Sequence, residues 1–304
     1  MQLNRRQLIG SLAITSLTAL VPQFVRAQRA PLTKKIPSSG EALPIVGLGS
    51  WITFNVGDDP VARDSSAEVM QAFFDGGGRM IDSSPMYGSA QEVIGYCLRK
   101  TGNAANVFAT DKVWIANGDE GTEQIERTRA LWGIDSFDLL QVHNLVAWES
   151  HLDTLNAMKD EGKLRYVGVT TSHGRRHNEL EKIMRKHDLD FVQLTYNIAD
   201  REVEDRLLPL AQEKGIAVIA NRPFRRKELI HRFEDEKLPE WAHEIGAASW
   251  AQFLLKFVIA HPAITCAIPA TTRVDHVREN LDSAREPLPD EEMRQRMVAY
   301  IREL

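Results

Sequence analysis

Four polar side chains occur where apolar runs of the sequence end, and their types are those that carry charge or exchange protons. Asp82 ends one run, Lys112 interrupts the next, His143 closes a third, and Tyr87 stands five residues after Asp82. A charged Asp or Lys within an apolar strand costs free energy unless it is paired, so mutual pairing explains both residues best. The spacing alone leaves two interpretations open: a reactive site, or a buried ion pair without a reactive role.

These residues belong to a repeating pattern in which a short apolar strand is followed by an amphipathic helix. The runs are nearly continuously apolar, which is typical of strands buried on both faces. The predicted strands are Ile45–Trp51, Met80–Ser84, Val107–Trp114, Phe137–His143, Tyr166–Thr171, Phe191–Asn197, Ala217–Phe224 and Ile264–Thr271. The predicted helices, with apolar residues at i, i+3 and i+4, include Ser66–Phe74, Ala90–Arg99, Glu123–Trp132, Leu152–Glu161, Asn178–Lys186 and Val203–Lys214.

Eight such units fit an α/β fold of the (β/α)8 TIM-barrel type in size and number. Alternation alone also permits a doubly wound open sheet. The segment Gly47–Ile52 breaks the G-x-G-x-x-G spacing of a dinucleotide-binding turn, which favours the barrel. Lys34–Pro37 and Leu43–Val46 predict an N-terminal hairpin that plugs the bottom of the barrel, so Ile45 and Val46 could belong to either element.

Two regions add to the eight units. The segment Arg225–Ala248 is longer than the other connections, and connections of this length are commonly functional or carry their own short helix. After the eighth strand, Val274–Ser283 and Pro289–Arg302 predict two extra C-terminal helices.

Composition excludes several classes of protein. The 304 residues are 43% hydrophobic and 26% charged, as is ordinary for a globular protein. A net charge of −5 argues against nucleic-acid binding. The two cysteines, Cys97 and Cys266, argue against a disulfide scaffold and provide no metal-ligand cluster, and we predict no metal.

The first 27 residues have the order of an export signal. Arg5-Arg6 precedes an uncharged stretch from Leu8 to Val21, and Val25-Arg26-Ala27 resembles a cleavage site. The paired arginines resemble a twin-arginine signal, and the apolar run is short for a spanning anchor. We therefore predict a cleaved signal peptide over residues 1–27 and one barrel domain over 28–304. The mature protein would be periplasmic without a membrane anchor, with the export machinery as a partner.

Five ordered motifs within residues 36–284 resemble those of the aldo-keto reductase family. They are Gly78–Gly88, Thr110–Trp114, Asp138–Asn144, Gly162–Val169 and Ile268–Thr272. The resemblance implies a barrel fold and hydride transfer between a nicotinamide cofactor and an aldehyde or ketone. The implied cofactor is NADP(H), with NAD(H) as the alternative, and the implied ligand is a small carbonyl or alcohol.

The same resemblance makes Asp82, Tyr87, Lys112 and His143 a catalytic tetrad. Tyr87 would donate a proton to the carbonyl oxygen, and a free phenol with a pKa of about 10 is a weak acid for this task. Lys112 is expected to lower the pKa of Tyr87, and Asp82 to hold Lys112 in place. His143 would donate a hydrogen bond to the carbonyl oxygen.

The implied cofactor residues include departures from the family pattern. Thr171 replaces the usual asparagine, and Asn221 stands where many members have an aromatic side chain that stacks on the nicotinamide. Ala270 and His276 replace a common lysine and arginine near the 2′-phosphate, so a weakened NADP(H) preference is expected. The implied cofactor-binding residues are Thr170, Thr171, Gln193, Asn221, Arg222, Pro223, Phe224, Thr271, Thr272, Arg273, Glu279 and Asn280.

Three tryptophans follow predicted strands and would lie around the mouth of the pocket. An apolar aromatic lining by Trp51, Trp114 and Trp148 would suit a hydrophobic carbonyl compound, although scaffold packing explains each residue nearly as well. A second function also stays open, in which the same fold is a catalytically weak NADP(H)-binding sensor or partner module.

Overall fold

The computed structural model describes residues 30–304, and the predicted signal peptide lies outside these residues. The antiparallel strands β1 (Thr33–Lys35) and β2 (Ala42–Pro44) form the predicted hairpin. Ile36 and Leu43 of this hairpin are fully buried and pack into one cluster with Met80 and Phe108 at the start of two barrel strands. The hairpin therefore closes the amino-terminal end of the barrel, as predicted.

Eight parallel strands follow the hairpin, and each pairs with its neighbour in the chain. Residues on both faces of these strands are almost all buried, which explains the continuous apolar runs. The strands are β3 (Leu48–Gly49), β4 (Met80–Asp82), β5 (Phe108–Val113), β6 (Leu139–Val142), β7 (Tyr166–Thr170), β8 (Phe191–Thr195), β9 (Ala217–Asn221) and β10 (Cys266–Ala267). The predicted (β/α)8 barrel is confirmed.

The first and last barrel strands are much shorter than the predicted Ile45–Trp51 and Ile264–Thr271. They meet at a seam of isolated bridges, where Val46 pairs with Ala267 and Gly49 with Ala270. A side chain at Gly49 would come within 2.9 Å of the Ile268 carbonyl oxygen, so glycine permits this approach. Pro269 has no N–H to donate, and the ladder therefore does not extend. Ile45 serves both elements, since its N–H donates to Leu32 and its carbonyl accepts from Ala267.

Helices cover the outside of the sheet. They are α1 (Pro60–Asp75), α2 (Ala90–Thr101), α3 (Gly121–Trp132), α4 (Trp148–Asp160), α5 (His177–Lys186), α6 (Leu207–Lys214), α7 (Glu228–Phe233), α8 (Trp250–Ala260), α9 (Val274–Ser283) and α10 (Glu291–Glu303). The predicted helix Val203–Lys214 is divided, because residues 202–204 form a 3-10 turn before α6 begins. The long segment Arg225–Ala248 contains α7 and a further 3-10 helix over Glu240–Ile245.

Within residues 30–304, none of these helices has the length and apolar character needed to cross a bilayer.

Candidate active site

A cavity of about 240 Å³ lies at the carboxyl ends of the barrel strands. Asp82 at the end of β4, His143 after β6, Thr170 at the end of β7 and Asn221 at the end of β9 all line it. Because parallel strands bring their carboxyl ends to one edge, residues distant in sequence converge there. Tyr87 reaches the same cavity from the loop after β4.

Lys112 and Asp82 form a buried ion pair beneath the cavity. Lys112 Nζ lies 2.6 Å from Asp82 Oδ2 and donates a second hydrogen bond of 2.6 Å to the Ser83 carbonyl. Gln193 Nε2 donates to the other carboxylate oxygen at 2.9 Å. Burial disfavours the ammonium of Lys112, but the charge and hydrogen bond of Asp82, together with Tyr87 and Asp111, outweigh burial and raise the pKa of Lys112. Lys112 therefore carries a fixed positive charge next to the cavity.

The Tyr87 ring lies beside this charge, with Lys112 Nζ 5.2 Å from the ring centroid. Burial raises the pKa of Tyr87 above its ordinary value, and Lys112 opposes this shift without reversing it. Lys112 therefore lowers the pKa of Tyr87, as expected, but the pKa of Tyr87 is still raised overall, contrary to the expectation. The reason is that desolvation of the phenolate costs more than one neighbouring cation returns. Tyr87 keeps its proton at neutral pH.

His143 completes the group and is uncharged. Its ring stands edge-on to Tyr87, with centroids 5.8 Å apart, and Ser84 Oγ lies 2.7 Å from His143 Nδ1. Burial lowers the pKa of His143 to about 2, and the charge of Lys112 contributes in the same direction. A protonated phenol and a neutral imidazole on one cavity wall can deliver a proton and a hydrogen bond to an oxygen atom of a bound molecule.

The lining of the cavity also contains polar atoms without partners. Thr171 Oγ1 and the Arg222 Nε and Nη1 atoms are buried and make no hydrogen bond within residues 30–304. Both residues line the cavity, as do Thr170, Pro223 and Phe224. A buried donor without a partner costs free energy of desolvation. The presence of such donors indicates a polar or anionic ligand at this part of the cavity. Burial, followed by the charge of Arg226, lowers the pKa of Arg222.

Asn221 and Gln193 also line the cavity but are engaged with the protein. Asn221 Nδ2 donates to the Thr171 carbonyl at 3.0 Å, and its Oδ1 accepts from Thr195 Oγ1 at 2.7 Å. The Asn221 amide is therefore held in the cavity lining by hydrogen bonds to β8 and to the residue that follows β7.

Sequence reasoning missed three cationic or titratable side chains that line the cavity: His173, Arg226 and Lys227. The Arg226 guanidinium lies 4.1 Å from the centroid of the Trp51 ring, a cation–π contact between the loops after β9 and β3. The run Arg225-Arg226-Lys227 was visible in the sequence, but only the fold shows that this loop turns back over the cavity.

The remaining predicted cofactor residues lie on and before α9, beyond the last cavity residue, Ala270. They are Thr271, Thr272, Arg273, Glu279 and Asn280. Arg273 is exposed and forms a bidentate pair with Asp275, with Nε–Oδ1 at 3.0 Å and Nη2–Oδ2 at 2.5 Å. Glu279 accepts a hydrogen bond from Ser249 Oγ. The carboxylate of Asp275, which the sequence reasoning did not consider, therefore occupies the fork of Arg273.

The three predicted substrate-lining tryptophans are not all at the cavity. Trp51 lines it. Trp114 is not among the residues of the lining, although its side chain is 40% exposed and its ring lies 6.4 Å from the His143 ring. Trp148 lies elsewhere, at the start of α4, edge-on to His187 and 5.2 Å from it. The structure does not bring Trp148 to this cavity, because α4 turns it toward α5. Two further apolar side chains of the lining, Ile52 and Met86, are 61% and 41% exposed.

Among residues 30–304, no group of three or more His, Cys, Asp or Glu side chains is arranged to hold a metal ion.

A family model and individual known proteins both match this chain over most of its length. The model of the Aldo/keto reductase family matches residues 45–299. The methylglyoxal reductase YeaE of Escherichia coli (strain K12) is 29% identical over 256 residues, which are 81% of this chain and 88% of that protein. An NADH-specific methylglyoxal reductase of the same organism is 25% identical and covers 68% of this chain and 72% of its own.

A solved structure shows the same architecture. The aldo-keto reductase of Klebsiella pneumoniae in complex with NADPH superposes with a TM-score of 0.74 at 25% identity, over 90% of this chain and 95% of that one. The barrel and its cavity define an α/β-barrel enzyme. This chain belongs to the aldo/keto reductase family and is an oxidoreductase.

Proposed function

We propose that the enzyme reduces an aldehyde or ketone to an alcohol, with Asp82, Tyr87, Lys112 and His143 as its catalytic residues. The observation that carries this proposal is the protonated Tyr87 beside the buried Lys112–Asp82 pair and the neutral His143, all at one cavity. Carbonyl reduction needs a hydride at carbon and a proton at oxygen, and these residues supply the second requirement.

The nicotinamide cofactor supplies the hydride when it is bound. Tyr87 then gives its phenolic proton to the carbonyl oxygen, which completes the alcohol. Lys112 stabilises the phenolate that remains, and Asp82 keeps Lys112 charged. His143 donates a hydrogen bond to the carbonyl oxygen without adding charge. No other cation than Lys112 contacts the Tyr87 ring among the cation–π contacts of residues 30–304.

The loop after β9, which includes Arg222, Arg226 and Lys227, fits such a cofactor. The unpartnered Arg222 guanidinium is suited to an anionic oxygen, and Arg226 and Lys227 add two positive charges on the same loop. We propose that this loop binds the diphosphate and that Thr170, Thr171, Gln193 and Asn221 bind the nicotinamide end. Asn221 replaces an aromatic contact with an amide fixed by two hydrogen bonds.

We propose NADP(H) as the preferred cofactor, with NAD(H) also accepted. Arg273, with Thr271 and Thr272, is the candidate partner of the 2′-phosphate, and Glu279 and Asn280 are the candidate adenine contacts. The engagement of Arg273 by Asp275 supports a weak preference, because the phosphate has to compete with a carboxylate for the same guanidinium. That one relative binds NADPH and another is named as NADH-specific agrees with a family in which both occur.

The rim supports an apolar or aromatic carbonyl compound as substrate. Ile52 and Met86 are exposed in the lining of the cavity, and Trp114 is exposed close to His143. Large apolar side chains that are exposed together commonly mark a ligand site. Ile52 also has a φ of 65°, which is unfavourable for a β-branched residue and places strain at the rim. Relatives named methylglyoxal reductases make a small dicarbonyl the comparison compound.

The experiment that tests this function is a panel of aromatic aldehydes, aliphatic ketones and methylglyoxal with NADPH and with NADH. We expect turnover with at least one carbonyl class and faster turnover of the aromatic aldehydes than of methylglyoxal. Tight NADPH binding without turnover of any compound would instead favour the catalytically weak sensor or partner module. The fixed Asn221 amide, in place of an aromatic contact, is the observation on the side of that alternative.

We also propose that the enzyme is exported to the periplasm and that the signal peptide, residues 1–27, is removed. The support is the order of Arg5-Arg6, the uncharged stretch and Val25-Arg26-Ala27. The mature barrel domain would then begin at Gln28.

A further inference from the structure

Ser84 forms a side-chain hydrogen bond with His143 that the mechanism above does not use. Both residues are buried, with 0% and 5% exposure, and Ser84 Oγ lies 2.7 Å from His143 Nδ1. The same Oγ accepts a hydrogen bond of 3.2 Å from the Met86 N–H. A buried hydroxyl group has one proton to donate and needs an acceptor for it.

The partners of Ser84 Oγ determine which of the two residues donates in the Ser84–His143 hydrogen bond. If His143 Nδ1 carried the proton, Ser84 Oγ would accept from both Nδ1 and Met86, and its own O–H would have no acceptor among its contacts within residues 30–304. If Ser84 donates to Nδ1, every group is satisfied. The imidazole is neutral, so its single proton must then be on Nε2.

We propose that Ser84 is a positioning residue that keeps His143 in the tautomer with the proton on Nε2, the form that donates to the substrate oxygen. The proposal rests on the proposed carbonyl reduction. In the opposite tautomer, Nε2 would present a lone pair to the lone pairs of the carbonyl oxygen, which is repulsive. It would also offer the Tyr87 phenol an acceptor inside the protein.

The backbone of Ser84 extends the same role to Tyr87. The Tyr87 N–H donates to the Ser84 carbonyl oxygen at 3.0 Å, so this residue closes the turn that presents the phenol. One residue thus contacts both proton-handling side chains, one through its carbonyl and the other through its hydroxyl group. Substitution of the side chain alone removes only the contact to His143.

The test is Ser84→Ala, with Ser83→Ala as the matched control. Ser83 is an equally buried neighbour whose Oγ contacts Ser50 and not His143. Long-range proton–nitrogen correlations of histidine-labelled protein report which ring nitrogen of His143 is protonated, and a His143→Asn variant assigns the signal among the nine histidines. We expect the Nε2–H signature in the wild type and in Ser83→Ala, and its loss or mixing in Ser84→Ala.

Kinetics tests the consequence separately. Ser84→Ala should lower kcat by about tenfold with the cofactor Kd unchanged, because one well-placed hydrogen bond to the reacting oxygen is lost part of the time. Ser84→Thr, which keeps the hydroxyl group, should restore the tautomer and much of the rate. An unchanged tautomer in Ser84→Ala overturns the proposal, as does a changed tautomer with an unchanged rate. If no carbonyl compound is turned over by the wild type, the proposed function fails, whereas the tautomer measurement still tests the role of Ser84.

Discussion

Gln193 donates a hydrogen bond of 2.9 Å to Asp82, and both residues line the cavity at the carboxyl ends of the strands. Gln193 lies on β8 and Asp82 on β4, so the contact crosses the inside of the barrel. The other oxygen of Asp82 binds Lys112. Asp82 is therefore oriented from both sides, and Lys112 is placed by a carboxylate that cannot turn away.

The first prediction concerns the proton donor. Tyr87→Phe keeps the ring and its packing but removes the phenolic proton, so carbonyl reduction should fall by about 100-fold or more. Single-turnover hydride transfer at saturating cofactor measures this step directly. Tyr96→Phe is the matched control, because that phenol bonds Asp64 on the outer helices. If Tyr87→Phe reduces carbonyls within a few-fold of the wild-type rate, Tyr87 is not the donor.

The second prediction separates the stability of the buried ion pair from its role in catalysis. Lys112→Met leaves Asp82 buried without its cation and should lower the free energy of unfolding by about 3–5 kcal/mol. Adding Asp82→Asn removes the unpaired charge and should recover much of that loss. Chemical denaturation measures the stability, and hydride transfer measures the rate. Activity should remain low in both variants, and a double variant with recovered activity would show that the pair is only structural.

The third prediction is the pH dependence of the hydride step. Burial raises the pKa of Tyr87, so the phenol is protonated below that raised value and reduction should fall only as the pH rises through it, in the alkaline range. Alcohol oxidation needs the phenolate as base and should rise in the same direction. The pKa of His143, lowered to about 2, keeps the imidazole neutral throughout. Single-turnover rates should therefore show no inflection near pH 6.5, and one that disappears in His143→Gln would contradict this account.

The fourth prediction concerns cofactor choice. Arg273→Ala should raise the Kd for NADPH by about tenfold and leave the Kd for NADH nearly unchanged, because only NADPH has a 2′-phosphate. Asp275→Ala frees the guanidinium and should lower the Kd for NADPH a few-fold. Fluorescence titration measures both. Arg278→Ala, an exposed arginine on the same helix, is the control. Equal changes for the two cofactors in Arg273→Ala would show that this residue does not bind the 2′-phosphate.

The fifth prediction concerns export. Replacing Arg5 and Arg6 together by lysine keeps the charge but removes the paired arginines of the twin-arginine signal. Unprocessed protein should then accumulate in the cytoplasm, as measured by fractionation and by the mass of the mature N-terminus. Normal processing of the double variant would show that the signal has been assigned to the wrong class.

The strands were predictable because their side chains are buried on both faces, but their ends were not. Val107–Trp114 and Phe137–His143 were predicted one or more residues too long, since β5 ends at Val113 and β6 at Val142. Apolar character continues where the ladder stops, because the backbone of Trp114 pairs with the side-chain amide of Gln124 and not with a neighbouring strand. The start of α1 at Pro60 was also missed, although Asp59-Pro60 is a recognisable helix start in which Asp59 accepts from two backbone N–H groups.

The four residues of the proposed catalytic group could be brought together from spacing and resemblance, whereas their electrostatics could not. Whether the pKa of Tyr87 is raised or lowered depends on the balance between its burial and the charge of Lys112. The sequence specifies neither the burial of the phenol nor its distance from that charge. Contacts between loops were equally inaccessible. The pairing of Arg226 with Trp51 joins positions 175 residues apart, and that of Ser84 with His143 joins positions 59 apart. Such pairs arise only when the barrel brings strand ends together.

The hairpin at the lower end of the barrel has a consequence for the passage of molecules. Because Ile36 and Leu43 close that end, molecules enter and leave the cavity at the carboxyl ends of the strands, where Ile52 and Met86 are exposed in its lining. The substrate therefore enters and the product leaves through the same opening of the cavity. A bulkier side chain at this opening would slow substrate binding and product release together. Overall turnover would then be limited by these two steps, while the rate of hydride transfer stayed unchanged.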